Sequence, residues 1–127
     1  MGPKYKQGDI VLAKFPFSEK NEYKKRPVLI ISNDTVNSIY NSYLCIKITS
    51  RIKNIPEISI LLNNKELSVP LEKTSELRLM EITYILENMI ERKISELTYK
   101  AFKKVRKQLI NYKIIYPTCK EIIFYNQ

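Results

Sequence analysis

The stretch Arg26-Pro27-Val28-Leu29-Ile30-Ile31-Ser32-Asn33-Asp34 indicates the fold class of this 127-residue chain. Its centre, Pro27 to Ile31, is rich in aliphatic and β-branched residues and predicts a buried strand. Ser32-Asn33-Asp34 predicts a turn after it, because these side chains hydrogen-bond to nearby backbone groups. The sequence therefore predicts a buried strand with a cationic residue, Arg26, immediately before it.

Further short apolar segments on both sides of this strand predict a sheet. The predicted strands are Ile10 to Phe15, Tyr43 to Ile48, Ile58 to Leu62, Leu67 to Leu71 and a short one within Glu76 to Ile85. Because asparagine tolerates a positive φ, Asn63-Asn64-Lys65 predicts a hairpin between the third and fourth of these. Short connections favour antiparallel pairing.

One amphipathic helix follows the strands. Ser95 is its predicted N-cap, and the helix is expected to run from Glu96 to Tyr112. Its apolar face contains Ala101, Phe102, Val105 and Leu109, and most of its lysines lie elsewhere. Packing against the core explains this pattern better than a basic surface facing RNA. Strands followed by one helix predict a mainly β (α+β) fold, either a small antiparallel barrel or a curled sheet, with a C-terminal helix.

The composition favours a polyanionic partner and excludes several kinds of enzyme. Lys and Arg number 22 against 13 Asp and Glu, a net charge of +9. Nucleic acid is the commonest partner for such a charge, although an anionic membrane or an acidic protein also fits. The chain has no histidine and only two glycines. It therefore lacks the usual acid–base pair of many nucleases, a P-loop and a dinucleotide fingerprint, and no cofactor is expected.

Cysteine spacing and apolar run length indicate a cytoplasmic protein of one domain, residues 1–127. Cys45 and Cys119 are far apart and form no CxxC pair, which predicts reduced thiols rather than a disulfide or a metal site. No apolar run approaches the roughly 20 residues that a membrane-spanning helix needs. Met1 to Gln7 is polar and does not resemble a signal peptide.

An ordered set of motifs carries a family resemblance. The motifs are Gly8 to Leu12, Phe15-Pro16-Phe17, Arg26 to Asn33, Ile48-Thr49-Ser50, Ser75 with Glu81-Ile82, and Lys93 to Leu97. Each is weak alone, but their order is specific. Together they resemble the MazF/PemK toxin family over about residues 7–110, which leaves 111–127 as a C-terminal extension.

The resemblance implies an SH3-like barrel with a terminal helix, usually a homodimer. It also implies an endoribonuclease that cuts single-stranded RNA at short motifs and a cognate antitoxin protein that blocks the RNA site. By motif position, Arg26 and Thr49 resemble the family's catalytic arginine and threonine, and Ser50 is a weaker candidate. The family's upstream loop carboxylate matches Glu22 or Glu19. The candidate RNA-binding residues are Lys24 and Lys25 in the polar loop before Arg26, together with Lys53.

These residue types suit RNA cleavage without a metal, in which the RNA's own 2′-hydroxyl attacks the adjacent phosphorus. Arg26 is suited to stabilising charge on the phosphate, since an arginine side chain stays protonated in proteins and is a poor base. Thr49 can donate a further hydrogen bond. The general base stays open among Glu22, Glu19 and a tyrosine.

Two alternatives stay open beside this function. The first is a non-enzymatic toxin on the same fold that poisons DNA gyrase. The second is a catalytically inactive RNA-binding barrel, because Tyr23-Lys24-Lys25 lacks the glycine that the family commonly has there.

Overall fold

Residues 2–14 and 24–111 are described by the computed structural model of the chain. They form one antiparallel six-stranded sheet in the order β4-β5-β3-β2-β1-β6. The elements are β1 (Asp9–Lys14), β2 (Lys25–Ile30), α1 (Asp34–Tyr40), β3 (Ser42–Thr49), β4 (Ser59–Leu61), β5 (Glu76–Leu86), β6 (Ile90–Glu96) and α2 (Tyr99–Asn111), with short 3₁₀ turns at Asn64–Glu66 and Glu87–Met89. Phe15-Pro16-Phe17, Glu19, Glu22, Tyr23 and residues 112–127 with Cys119 lie outside the described residues.

The sheet curls so that its two edges approach each other. An isolated antiparallel bridge joins Leu67, just beyond β4, to Leu97, just beyond β6. The backbone N–H of Ser68 donates to the Glu96 carbonyl at 3.0 Å, and that of Thr98 donates to the Glu66 carbonyl at 2.9 Å. The predicted mainly β class with antiparallel strands and a C-terminal helix is confirmed, and its shape is a curled, barrel-like sheet.

Each face of the sheet carries its own apolar cluster. On one face α2 packs against Ile10, Leu29 and other aliphatic residues through Ala101 and Val105. This packing confirms the predicted apolar face of the helix. The helix lysines and Arg106 are exposed, as a core-packing helix requires. The opposite face holds a second cluster, formed by Tyr5, Val11, Ala13, Val28, Ile30, Tyr43, Cys45, Ile85 and Ile90.

A large bulge in β5 changes which of its residues point to each face. Ile46 of β3 pairs with Ile82, whereas the next residue, Lys47, pairs with Arg78. Three residues of β5, 79–81, therefore have no partner on β3. Since side chains alternate between faces, an odd number of extra residues switches the alternation.

The predicted break of the strand at Ser32-Asn33-Asp34 is confirmed, since β2 ends at Ile30, but these residues lead into helix α1, which starts at Asp34, rather than into a tight turn. The Asn33 side chain is the N-cap and accepts a hydrogen bond from the Val36 N–H at 3.0 Å. The buried Ser32 hydroxyl accepts from the Leu44 N–H at 2.9 Å, which ties the helix to β3. Ser, Asn and Asp favour both turns and helix starts, so the local pattern does not distinguish them.

The predicted hairpin across Asn63-Asn64-Lys65 is wrong. The Asn63 side chain caps a 3₁₀ turn by accepting from the Lys65 N–H at 3.0 Å. Leu67 to Leu71 forms no strand, and β4 pairs with β5 instead. The strand expected within Glu76 to Ile85 is present.

Ser95 is not a helix N-cap but a buried residue of β6. Its hydroxyl donates to the Val69 carbonyl at 2.7 Å and accepts from the Val69 N–H at 3.1 Å. Helix α2 starts four residues later, at Tyr99. Thr98 caps the start of this helix, since its hydroxyl accepts a hydrogen bond from the Ala101 N–H at 3.2 Å.

Candidate active site

Arg26 and Thr49 lie on neighbouring strands at the same end of the sheet. Arg26 is the second residue of β2, and Thr49 is the last residue of β3. The ladder between these antiparallel strands pairs Val28 with Lys47. The ladder ends at this pair, and its register continued by two residues would bring Arg26 level with Thr49. Residues related in this way point to the same face of a sheet. Arg26 is exposed and Thr49 is half-buried.

The face that carries Arg26 and Thr49 changes from apolar to charged along its length. Its apolar part is the second cluster, which includes Val28 and Cys45. Beyond that cluster, Lys47 lies two residues before Thr49 on β3 and pairs with Glu81 at 3.3 Å. The alternation of both strands therefore produces a polar, mainly cationic surface at one end of the face, which suits a phosphate chain.

The Thr49 hydroxyl is held by the chain that follows it. The backbone N–H of Arg51 donates to Thr49 Oγ1 at 3.2 Å. Ser50, between them, is exposed. A hydroxyl has one proton to donate and two acceptor lone pairs. The Arg51 N–H occupies one lone pair, so the Thr49 proton stays available to an incoming acceptor.

Two residues that the sequence did not indicate, Glu76 and Arg78, complete this end of the face. Glu76 pairs with Thr49 across β3 and β5, and its side chain is fully buried. Its Oε2 accepts from Arg78 Nε at 2.6 Å. Burial alone raises the pKa of Glu76, but hydrogen bonds from the Asn54 N–H, the Arg78 side chain and other donors outweigh it and lower that pKa. The carboxylate is therefore ionised and fully hydrogen-bonded.

A cleft lies beside this network, next to the chain that follows Thr49. It is lined by Lys53, Ile55, Ile58, Ser59, Arg78, Met80 and Glu81. Aliphatic side chains and Met80 line part of it, and charged groups line the rest. An apolar surface rimmed by hydrogen-bonding groups suits the flat face and polar edge of a nucleobase.

The other predicted site residues lie around this end of the sheet or outside the described residues. Lys53 is exposed and lines the cleft. Lys24 is exposed, and Lys25 forms an ion pair with Glu91 at 2.8 Å. Glu19 and Glu22 lie outside the described residues, so the proposed role of either as general base stays a prediction.

Three further observations concern metal ligands, membrane-spanning helices and the thiol of Cys45. Within residues 2–14 and 24–111, no three Cys, Asp or Glu side chains converge as metal ligands do. None of the helices in this part of the chain is both long and apolar enough to cross a membrane. Cys45 is buried, and its burial raises the thiol pKa to about 12.

Comparison with known proteins identifies the family. A model of the PemK-like, MazF-like toxins of type II toxin–antitoxin systems matches residues 6–112. The chain belongs to this family. The motif resemblance is thereby confirmed, and the protein is a MazF-like toxin of a type II system. A comparison with curated proteins gave no match.

Solved structures of MazF-like toxins share the fold at low sequence identity. An endoribonuclease from a mycobacterial species, solved with its cognate antitoxin, is 18% identical with a TM-score of 0.70 over 90% of this chain and 98% of that chain. MazF from Deinococcus radiodurans is 19% identical with a TM-score of 0.63 over 83% and 92%. Mycobacterium tuberculosis toxin MazF-mt6 is 17% identical with a TM-score of 0.63 over 82% and 94%.

Proposed function

We propose that this MazF-like toxin is a sequence-specific endoribonuclease that cleaves single-stranded RNA without a metal. The observation that supports this most is the β2–β3 register, whose continuation brings Arg26 and Thr49 to the same face at a cationic end of the sheet. A guanidinium and a hydroxyl on one face, one strand apart, match the donors that a phosphate group accepts from. The similar mycobacterial proteins are endoribonucleases, which agrees with this proposal.

In the proposed reaction the 2′-hydroxyl of the RNA attacks the adjacent phosphorus and the bond to the 5′-oxygen breaks. The products are a 2′,3′-cyclic phosphate and a 5′-hydroxyl. Arg26 stabilises the negative charge that develops on the phosphate oxygens, and Thr49 donates a hydrogen bond to one of them. Donors placed where charge develops contribute about 3–4 kcal/mol each. Glu22, Glu19 or a tyrosine accepts the 2′-hydroxyl proton, and Arg26 is the candidate donor of the proton that the leaving 5′-oxygen takes up. Ser50 assists binding, and Lys24, Lys25 and Lys53 contact neighbouring phosphates.

The proposed partners follow from the family and the charge. A net charge of +9 suits both RNA and an acidic antitoxin. Similar toxins have been solved with their antitoxins, one mycobacterial and one from Deinococcus radiodurans. We therefore include in the proposal a cognate antitoxin that covers the RNA surface, a homodimer as the active form, and a cytoplasmic location.

Incubation with a long single-stranded RNA in EDTA tests this function. We expect discrete cuts by the wild type, with the same short sequence at each cut. Arg26→Ala and Thr49→Ala should each lower the cleavage rate about 100-fold or more. Cleavage that survives both substitutions would place the active site elsewhere.

Absence of cleavage by folded wild-type protein would favour one of the two alternatives. A DNA gyrase cleavage assay then separates a gyrase poison from an inactive RNA-binding barrel. Both substituted proteins need a wild-type melting temperature, so that a loss of rate reports on chemistry rather than on folding.

A further inference from the structure

We propose that Glu76 and Arg78 are positioning residues that orient the Thr49 hydroxyl through the backbone of the loop 50–58. This inference rests on the proposed function, because it assigns Thr49 a role in RNA cleavage. Neither side chain is needed to contact the RNA for this role. Both act through the peptide groups that follow Thr49.

A continuous chain of hydrogen bonds joins the buried carboxylate to the Thr49 hydroxyl. Glu76 Oε2 accepts from Arg78 Nε at 2.6 Å, and Arg78 Nη2 donates to the Arg51 carbonyl oxygen at 2.6 Å. The Arg51 N–H then donates to Thr49 Oγ1 at 3.2 Å. Arg78 is suited to this role because its planar fork donates in two directions from one rigid group.

This chain determines where the Thr49 proton points. The Arg51 N–H occupies one acceptor lone pair of the hydroxyl, so the O–H bond is directed away from it. A loop free to move would let that N–H leave and the hydroxyl rotate. Fixing the Arg51 carbonyl fixes the position of the loop backbone beside Thr49. The hydroxyl is then oriented before RNA arrives, and this lowers the reorganisation that the transition state requires.

The same carboxylate also fixes the middle of the loop. Glu76 Oε1 accepts from the backbone N–H groups of Lys53 at 3.1 Å and Asn54 at 3.0 Å. Asn54 has a positive φ of 51°, so the loop bends sharply where these bonds form. Ser59 Oγ donates to Glu76 Oε2 at 3.1 Å, which joins β4 to the network. One buried side chain therefore accepts from four separate groups.

Helix α2 fixes the far part of the loop. Gln108 Nε2 donates to the Pro56 carbonyl oxygen at 2.6 Å. The loop is consequently attached to β5 near its start and to α2 near its end. Lys53 lies between these attachments, on the wall of the cleft. The hydrogen bond to Glu76 fixes the Lys53 backbone there.

A buried ion pair is a poor means of stabilising the fold alone. Arg78 has a side chain that is 13% exposed and Glu76 one that is 0% exposed, so both lose most of their hydration. Apolar residues of similar volume often give equal or greater stability at such sites. What the ion pair supplies and an apolar pair cannot is a set of directed hydrogen bonds to the loop backbone.

The test measures RNA cleavage by full-length Arg78→Lys and Glu76→Gln. Arg78→Lys keeps the charge but loses the fork, and Glu76→Gln places an amide N–H₂ against donors. We expect kcat to fall about 10-fold or more while KM stays within about 2-fold, because the lost interaction acts in the transition state. Glu87→Gln is the matched control. It alters a hydrogen-bonded carboxylate at the opposite end of β3, where Glu87 accepts from Tyr43, and it should keep the wild-type kcat.

A double-mutant cycle distinguishes positioning from loss of structure. If Arg78 acts through the Thr49 hydroxyl, Arg78→Lys should cost about 10-fold in the wild type but less than about 2-fold in Thr49→Ala. Equal losses in both backgrounds would overturn the proposal, and so would a wild-type kcat in both Arg78→Lys and Glu76→Gln.

Amide hydrogen exchange gives a readout that does not depend on RNA cleavage. Exchange at Arg51, Lys53 and Asn54 should accelerate in both variants and stay unchanged in Glu87→Gln. If Glu76→Gln fails to fold, Arg78→Lys alone decides the outcome. A wild type that cleaves no RNA contradicts the proposed function, whereas a cleaving wild type with unaffected variants contradicts only this inference.

Discussion

Replacing Tyr43 with phenylalanine should destabilise the toxin without affecting its chemistry. The Tyr43 hydroxyl donates to Glu87 Oε1 at 2.7 Å and accepts from the Tyr5 N–H at 3.1 Å. The ring is fully buried and the Tyr5 residue is 7% exposed. Phenylalanine keeps the ring packing but leaves the Tyr5 N–H without its partner. Losing a charge-assisted bond and orphaning a buried donor costs about 2–3 kcal/mol.

Urea unfolding of the two proteins measures this cost directly. In thermal unfolding, the same loss of free energy corresponds to a melting temperature about 8–12 °C lower for a domain of this size. Tyr84→Phe is the control, since Tyr84 is 51% exposed and its substitution should change the free energy of unfolding by less than about 0.5 kcal/mol. Equal stability of Tyr43→Phe and wild type would refute the argument, because the two hydrogen bonds would then contribute nothing.

Alkaline pH provides a second check on Tyr43. Burial, aided by the hydrogen bond to Glu87, raises the pKa of Tyr43 from 10.0 to about 12. Between these values the unfolded chain loses the phenol proton and the folded protein keeps it. The stability that this difference supplies is therefore present below pH 10 and lost as the pH rises toward 12. The stability difference between wild type and Tyr43→Phe should narrow over that range.

Three further outcomes follow from the site and the core. Substituting Lys53 with glutamine should weaken RNA binding and reduce the slope of log affinity against log salt by about 0.7, the value for one phosphate contact on a single strand; an unchanged slope would remove Lys53 from the interface. The pKa of Glu76 is lowered from 4.5, so its contribution to stability is present above pH 4.5 and lost as the pH falls through the folded value; urea unfolding between pH 3 and 6 should therefore show a smaller acid loss in Glu76→Gln. In a Cys119→Ser variant, Cys45 should react with a thiol reagent only as fast as the protein unfolds, because it is buried and its pKa is raised to about 12; rapid labelling of the folded protein would contradict this burial.

The buried strands were predictable because their side chains decide their position. Val28 to Ile30 is fully buried on both faces, and a continuous aliphatic run of this kind predicts a strand in the middle of a sheet. The apolar face of α2 was predictable for the same reason. Burial of apolar area is the largest favourable contribution to folding, and it is visible in the sequence.

Elements that depend on tertiary partners were not predictable in this way. β6 has three consecutive charged residues, Glu91-Arg92-Lys93, and so lacks the alternation that indicates a strand, while Ser95 suits a helix start as well as a strand. Its hydroxyl bonds to Val69, which lies 26 residues away, decide between the two. Asn33 likewise supports a turn or a helix, and the packing of α1 on β3 selects the helix.

The residues of the candidate site likewise differ in how far the sequence could predict them. Arg26 and Thr49 were found through motif order, and their relative placement follows from a strand register that no local pattern contains. The sequence did not indicate Glu76 and Arg78, two charged residues within a predicted short strand. Their burial depends on the bulge in β5 and on four donors to one carboxylate, two from the loop 50–58, one from β4 and one from Arg78 itself. Such a network exists only after the fold has formed.

The bulge in β5 also determines which mutations the toxin gene can accumulate. Residues 79–81 have no partner on β3, so point substitutions at the exposed Met80 leave the ladder intact. Deleting one residue there would reverse which side chains of the neighbouring part of β5 point to each face of the sheet. Leu77 would turn outward and Glu76 would turn into the apolar core. Substitution at Met80 therefore leaves the strand pairing intact, whereas loss of one codon would inactivate the toxin in one step.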